Sequence, residues 1–169
     1  LEKLTEIINE QNLNPKYIIN THWHDDHTRG NEELAKELSV KIVQHSASQL
    51  KNDLTVSDGD SIKFGCSELA VYHTPGHSKD SICLVGDGKI FSGDTLFVGN
   101  CGRIDLPGGS AKELYHGLFD VIANLSDDLI LYPGHDYGSS PTSTIGKEKQ
   151  TNPVMQKITE AEFVEQMGG

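Results

Sequence analysis

Short apolar runs alternate with amphipathic stretches along this chain, and turn residues punctuate them. Leu1, Leu4, Ile7 and Ile8 fall at helical spacing, so the chain opens in an amphipathic helix. Asn14-Pro15 interrupts it, and Tyr17–Asn20 reads as a short buried strand. A second helix follows, with Asn31 as its cap, Glu32 and Glu33 in the first turn, and Leu34, Ala35 and Leu38 buried. Lys41–Gln44 predicts a strand and Ser46–Lys51 a helical turn. Ser57-Asp58-Gly59-Asp60 is a turn leading into strands Ser61–Phe64 and Glu68–His73. Ile82–Val85 and Lys89–Phe91 flank Gly86-Asp87-Gly88, a hairpin signal. Ser110 and Glu113 stand in capping-box spacing before Leu114, Leu118, Ile122 and Leu125, which share one helical face. Leu129–Tyr132 is the last strand. Gly138–Pro153 reads as a polar, irregular tail, and Thr159–Met167 as a final helix. The pattern is mixed α/β.

Candidate chemistry concentrates in Thr21–Gly30, directly after the first strand. His22, His24, Asp26 and His27 place four metal-ligand side chains within six positions. Imidazole nitrogens and carboxylate oxygens are ligands of zinc and non-haem iron. In extended backbone, residues two apart point to the same side, so His22 and His24 can reach one ion together. Asp26 and His27, beyond a turn, can face a second. A polar loop that happens to be rich in histidine is the bland alternative. Against it stand His77, Asp94 and His135, each following a predicted strand, so that all can converge at one edge of a sheet core.

These segments resemble the metallo-β-lactamase superfamily. His22-Trp23-His24-Asp25-Asp26-His27 matches its His-x-His-x-Asp-His signature, and His73-Thr74-Pro75-Gly76-His77, Ser92-Gly93-Asp94 and Pro133-Gly134-His135 supply the later matches. The resemblance implies an αββα sandwich. It also implies that His22, His24 and His77 hold one metal, Asp26, His27 and His135 another, and Asp94 bridges them. The implied cofactors are two Zn2+ ions or Fe2+, with mixed occupancy. Metals so placed draw the pKa of bound water from ~15.7 towards ~7, giving hydroxide at neutral pH. Members with this signature place several strands before the first helix. The resemblance therefore implies a domain lacking its N-terminal strands, completed by an upstream segment or a second chain. Asp25 stands outside the ligand pattern and reads as a solvated or supporting acid.

Length and charge narrow the reading. The 169 residues fit a single domain over 1–169 with a proper core. Twenty-five acidic against 14 basic residues give a net charge of −11, which argues against a nucleic-acid partner. No apolar run reaches the ~18 residues that span a bilayer, so no membrane partner is expected. Cys66, Cys83 and Cys101 are an odd number without close spacing, which predicts free thiols and a cytoplasmic setting. Cys66 and Cys83 read as small apolar strand residues, and Trp23 as packing beneath the site. His45, His73 and His116 lie off the ligand pattern and read as surface or hydrogen-bonded core residues.

Cys101 belongs to Gly99-Asn100-Cys101-Gly102-Arg103-Ile104-Asp105, in a stretch too rich in glycine to read as core. It predicts a wall of the site in which Arg103, oriented by Asp105, offers a fixed fork to a substrate carboxylate. A buried Cys with a structural Arg–Asp pair is the alternative. The run resembles the Cys-Gly-Arg-x-Asp loop of the persulfide dioxygenases, and Ser143–Pro153 resembles their tail. Two enzyme readings follow. One is a glyoxalase II-like hydrolase cleaving the thioester of a small hydroxyacyl-thiol, such as hydroxyacylglutathione, with Asp26, Cys101, Arg103 and Asp105 as candidate catalytic residues. The other is an iron-dependent persulfide dioxygenase in which His22, His77 and Asp94 hold one iron. A non-catalytic metal-binding fragment is the third reading. A flavodiiron carrier fits less well, because that branch has Glu where His24 stands.

Overall fold

The computed structural model describes residues 2–156 and 158–168, so the expectation for Leu1 falls outside the described residues. Two sheets lie face to face with helices outside, an αββα sandwich. The first sheet joins β1 (Tyr17–Ile19), β2 (Lys41–His45) and β3 (Leu54–Val56), all parallel. The second runs β11-β10-β7-β6-β5-β4, built from β4 (Ser61–Phe64), β5 (Ser67–His73), β6 (Ile82–Gly86), β7 (Lys89–Gly93), β10 (Ile130–Pro133) and β11 (Ser143–Thr144). Between β7 and β10 the chain forms a small hairpin of β8 (Leu96–Phe97) and β9 (Asn100–Cys101).

Alternation along the strands makes two cores. Ile82 and Leu84 of β6 point between the sheets, where they join Val43, Val56, Ile62, Leu69 and Val71. Cys83, between them, points the other way, towards Ile90, Leu131 and the helical layer. A strand covered on both faces is apolar throughout, which is why Ile82–Leu84 shows no alternation of polarity. Asp87 and Gly88 both take positive φ at the tip of the β6–β7 hairpin, as the tight turn expected from Gly-Asp-Gly requires.

The helices are α1 (Glu2–Glu10), α2 (Asp25–Thr28), α3 (Asn31–Leu38), α4 (Ala111–His116), α5 (Ile145–Thr151) and α6 (Glu160–Gln166). Leu114, Leu118 and Ile122 are fully buried, and Ser110 Oγ accepts the Glu113 N–H at 3.2 Å. After His116 the turns widen over Gly117–Val121 and tighten over Ile122–Asn124. Thr159 and Glu162 cap α6 reciprocally, and Phe163 anchors it in the core.

Several expectations need correction. Ser46–Lys51 forms a turn without a helix, and Leu54–Val56, whose three residues are too few for their alternation to stand out, is a strand. Gly30, not Asn31, is the cap of α3. Among the described residues, the apolar stripe of α1 buries only Ile8, while Leu4 and Ile7 lie open. Cys66 sits exposed in the β4–β5 turn. The tail is not irregular: it adds β11 to the large sheet and folds as α5, whose first and fourth residues, Ile145 and Glu148, are buried.

Candidate metal centre

The seven predicted ligands come from four loops at one end of the sandwich. His22 and His24 follow β1, with Asp26 and His27 in the single turn of α2. His77 follows β5, Asp94 follows β7, and His135 follows β10. Their ligand atoms form three overlapping groups: His22, His24 and His77; His22, His27 and Asp94; Asp26, His27 and His135. His24 Nδ1 lies 2.9 Å from His77 Nε2, and His27 Nε2 lies 3.1 Å from His135 Nε2. Asp94 faces both sets, with Oδ2 3.6 Å from His77 Nε2 and 3.3 Å from His135 Nε2. Asp26 Oδ2 is 3.3 Å from His135 Nε2 on the more open side.

Three observations fit this arrangement to metal ions. His22 Nε2, His24 Nε2 and Asp94 Oδ1 are buried without a hydrogen-bond partner, a costly arrangement unless something else satisfies them. The donor set is imidazole and carboxylate, suited to zinc or iron. The site is also closed around by glycine. A Cβ on Gly134 would stand 2.3 Å from Asp94 Oδ1, and one on Gly102 would stand 2.9 Å from His77 Nδ1.

Burial keeps His22, His27 and His77 neutral. Burial first, then the surrounding imidazoles, bring the His22 pKa down to about 2. Burial likewise lowers His77 to about 4, partly opposed by its hydrogen bond to the Arg103 carbonyl. His27 is lowered by burial, against the pull of Asp26. Burial pushes Asp94 up to about 6. Crowded neutral imidazoles with free lone pairs bind a cation readily and a proton poorly.

A cleft of about 790 Å³ opens above the cluster. Asp26, His77, Asp94 and His135 form its floor, and Phe97, Val98, Cys101, Leu106 and Tyr137 form apolar walls. Arg103 is the one Lys or Arg among the described residues lining it. Its guanidinium pairs with Asp105 through two hydrogen bonds of 2.5 Å, and both side chains are largely exposed. That pairing holds the Asp105 carboxyl at about 2 and leaves three guanidinium N–H groups unused. Cys101 is buried in the apolar cluster, contrary to the reading of its loop as non-core, and burial pushes its thiol up to about 12. A neutral thiol suits a wall better than a nucleophile.

Some residues lie elsewhere than expected, and others went unread. Trp23 is not beneath the site: it flanks His24 at 5.8 Å between ring centroids and lines a separate hollow with Lys79 and Asp80. Asp25 turns outward to Arg29. His45 and His73 stack on each other, and His116 pairs with Asp120 and Glu160. Tyr137, stacked on His135 at 4.7 Å, and Phe97, edge-on to both rings, went unread in the sequence. Tyr137 had one available signal, its place two residues after a ligand histidine.

The family model of the metallo-beta-lactamase superfamily matches residues 2–135. The chain is 37% identical over 166 residues to the mitochondrial persulfide dioxygenase ETHE1 of Homo sapiens, covering 96% of this chain and 65% of that protein. It is 39% identical over 137 residues to the hydroxyacylglutathione hydrolase of Tolumonas auensis, covering 78% of this chain and 52% of that one. The crystal structure of ETHE1 from Myxococcus xanthus superposes with a TM-score of 0.90 at 30% identity, over 99% of this chain and 75% of that chain. The chain thus spans just under two thirds of the human relative and about half of the Tolumonas one.

Proposed function

The chain belongs to the metallo-β-lactamase superfamily, and from that premise we propose that it is a metal-dependent hydrolase of the glyoxalase II-like type, cleaving the thioester of a small hydroxyacyl-thiol. One observation carries this reading. Asp26, His27 and His135 form a second ligand group beside His22, His24 and His77, with Asp94 facing both. A single-iron oxygenase needs two histidines and one carboxylate, and the second ligand group goes beyond that need, whereas a paired centre is an arrangement that metal-dependent hydrolases use.

Two Zn2+ ions, two Fe2+ ions or a mixed pair bound there would supply Lewis acidity and a hydroxide nucleophile at neutral pH. The chain's own residues do the rest. His77 is held in one tautomer by donating Nδ1–H to the Arg103 carbonyl at 2.7 Å, which leaves Nε2 a lone pair. Arg103 offers its unused N–H groups to a carboxylate at the far end of a thiol carrier such as glutathione. Phe97, Val98 and Tyr137 shield the reacting carbonyl from bulk water. Asp26 is the most solvent-accessible of the carboxylate ligands, so it is reachable by the incoming water. A net charge of −11 suits a small substrate and not a nucleic acid.

A second reading, persulfide dioxygenation with iron on His22, His77 and Asp94, has its own support. The likeness to the human persulfide dioxygenase covers 96% of this chain, while the match to the Tolumonas hydrolase covers 78%. Metal analysis, with hydroxyacylglutathione hydrolysis and oxygen uptake on glutathione persulfide assayed side by side, separates them. Hydrolysis with two ions per chain bears out the proposal. Oxygen uptake with one iron favours the second reading, and neither activity leaves a metal-binding fragment.

A further inference from the structure

Glu148 of α5 is 1% exposed, although it belongs to a tail that reads as polar. Its carboxylate accepts three hydrogen bonds: from the Gly99 N–H at 2.8 Å, Ser143 Oγ at 2.5 Å and Asn152 Nδ2 at 2.9 Å. Asn152, four residues on and fully buried, also directs its amide to the carbonyls of Phe97 and Asn100, each at 3.2 Å. Backbone groups at three positions of the β8–β9 hairpin therefore end on two side chains from the tail.

That hairpin is one wall of the cleft: all five residues from Phe97 to Cys101 line it. A two-stranded ribbon is at best marginally stable alone, so its position depends on what grips it. Glu148 and Asn152 grip it from behind, and none of their hydrogen bonds reaches a candidate metal ligand. On the cleft side, Phe97 meets the rings of His135 and Tyr137 edge-on, at 5.9 and 5.5 Å between centroids. A shift of Phe97–Cys101 would thus alter the width of the cleft first, because Asp94 on the entering strand is held back by its own anchors, the Thr95 N–H on the Ser92 carbonyl at 3.1 Å and Ser92 Oγ on the Leu96 carbonyl at 2.7 Å.

We propose that Glu148, together with Asn152, is a positioning residue that fixes the Phe97–Cys101 wall and so sets the room available to the body of a thiol-linked substrate. This rests on the reading of the cleft as the substrate site. Two substrates differing only in carrier size expose the role: the hydroxyacyl thioester of glutathione and that of the much smaller N-acetylcysteamine.

The test uses the metal-loaded full chain and the variants Glu148→Ala, Glu148→Gln and Glu148→Asp. In Glu148→Ala, unpairing the Gly99 N–H should raise KM for the glutathione thioester about tenfold, while kcat, metal content and the KM for the small thioester stay within about twofold. Gln should rescue, since its carbonyl can accept from Gly99 and Asn152 while its amide donates to Ser143 Oγ. Asp, one methylene short, should behave like Ala, and it carries the comparison if the Ala variant does not fold. Unchanged KM for both substrates, or equal loss on both together with loss of metal, overturns the proposal. Rescue by Asp and not by Gln also overturns it, because charge rather than reach would then matter. If the wild type turns over neither thioester, the functional reading fails by itself, and amide exchange at Gly99 decides. Protection in the wild type and Gln variant, with exposure in Ala and Asp, sustains the role; equal exchange in all four overturns it.

Discussion

His77 donates its Nδ1–H to the backbone carbonyl of Arg103 at 2.7 Å, so one residue governs a candidate metal ligand through its main chain and faces the cleft with its side chain. The two roles separate on substitution. Arg103→Lys keeps the carbonyl and should leave metal content unchanged. It should weaken use of a carboxylate-bearing substrate about tenfold in kcat/KM, because an ammonium lacks the planar fork. Steady-state kinetics beside metal analysis check this, and unchanged kinetics with an intact fold would return Arg103 to a structural pair with Asp105.

Gly134 sits where a side chain has no room. Its N–H is fixed to the Gly93 carbonyl at 2.8 Å, and a Cβ would stand 2.3 Å from Asp94 Oδ1 and 3.0 Å from His27 Cε1. Gly134→Ala should therefore fold but bind metal about tenfold more weakly or worse, as disturbing the support of ligands generally does. Metal titration with a melting curve tests it; full metal affinity in the variant would show that the loop yields.

The metal-free chain should lose stability in acid. His22 and His77 are lowered to about 2 and about 4, so below the ordinary value near ~6.5 the unfolded chain takes up protons that the folded chain refuses. Stability from these groups is present above ~6.5 and falls as pH drops towards their folded values, by up to ~1.4 kcal/mol per pH unit for each histidine. Asp94, raised to about 6, works in the opposite sense below that pH, but it is one group against two. Melting temperatures in chelator should be lower at pH 5 than at pH 7.5; a flat or inverted profile would contradict the burial of these imidazoles.

The cysteines should react unequally. Cys66 is exposed, whereas burial raises Cys83 to about 11 and Cys101 to about 12. At pH 8 iodoacetamide should label Cys66 in the native chain and spare the other two until the protein is denatured. Peptide mapping reads the result, and native labelling of Cys101 would return it to the candidate catalytic residues.

One edge of the small sheet remains a docking proposal. β1 pairs with β2 on one side, and its other edge has no strand partner among the described residues. Beside it, Ile19, Asn20, Phe91 and Tyr132 line a groove, Phe91 is 37% exposed, and the buried Asn20 Nδ2 has no acceptor. A strand added along β1 from a second copy of this chain would pair the backbone and cover the rings. Residues 1–169 purified alone should self-associate, less so in Phe91→Ser. A monomeric, soluble chain with a cooperative melt would sink the idea.

The sequence by itself determined the cluster at the floor of the cleft and the frame that carries it. His22, His24, Asp26 and His27 are separated by so few residues that local backbone geometry settles which way they face, and the later ligands each follow a recognisable strand. The α4 face and the β6–β7 turn were legible for the same reason: their stabilising contacts lie within a few residues. Tertiary structure alone decided what surrounds the cluster. Glu148 meets Gly99 across 49 positions, and the Arg103 carbonyl meets His77 across 26. A backbone acceptor carries no mark of its partner in the sequence. A buried carboxylate in a polar helix looks like a solvated one until its donors are in place. Gly134 and Gly102 are defined by close approach of other loops, which no local pattern records, and the apolar stripe of α1 shows the converse, since periodicity makes a helix without saying what will cover it.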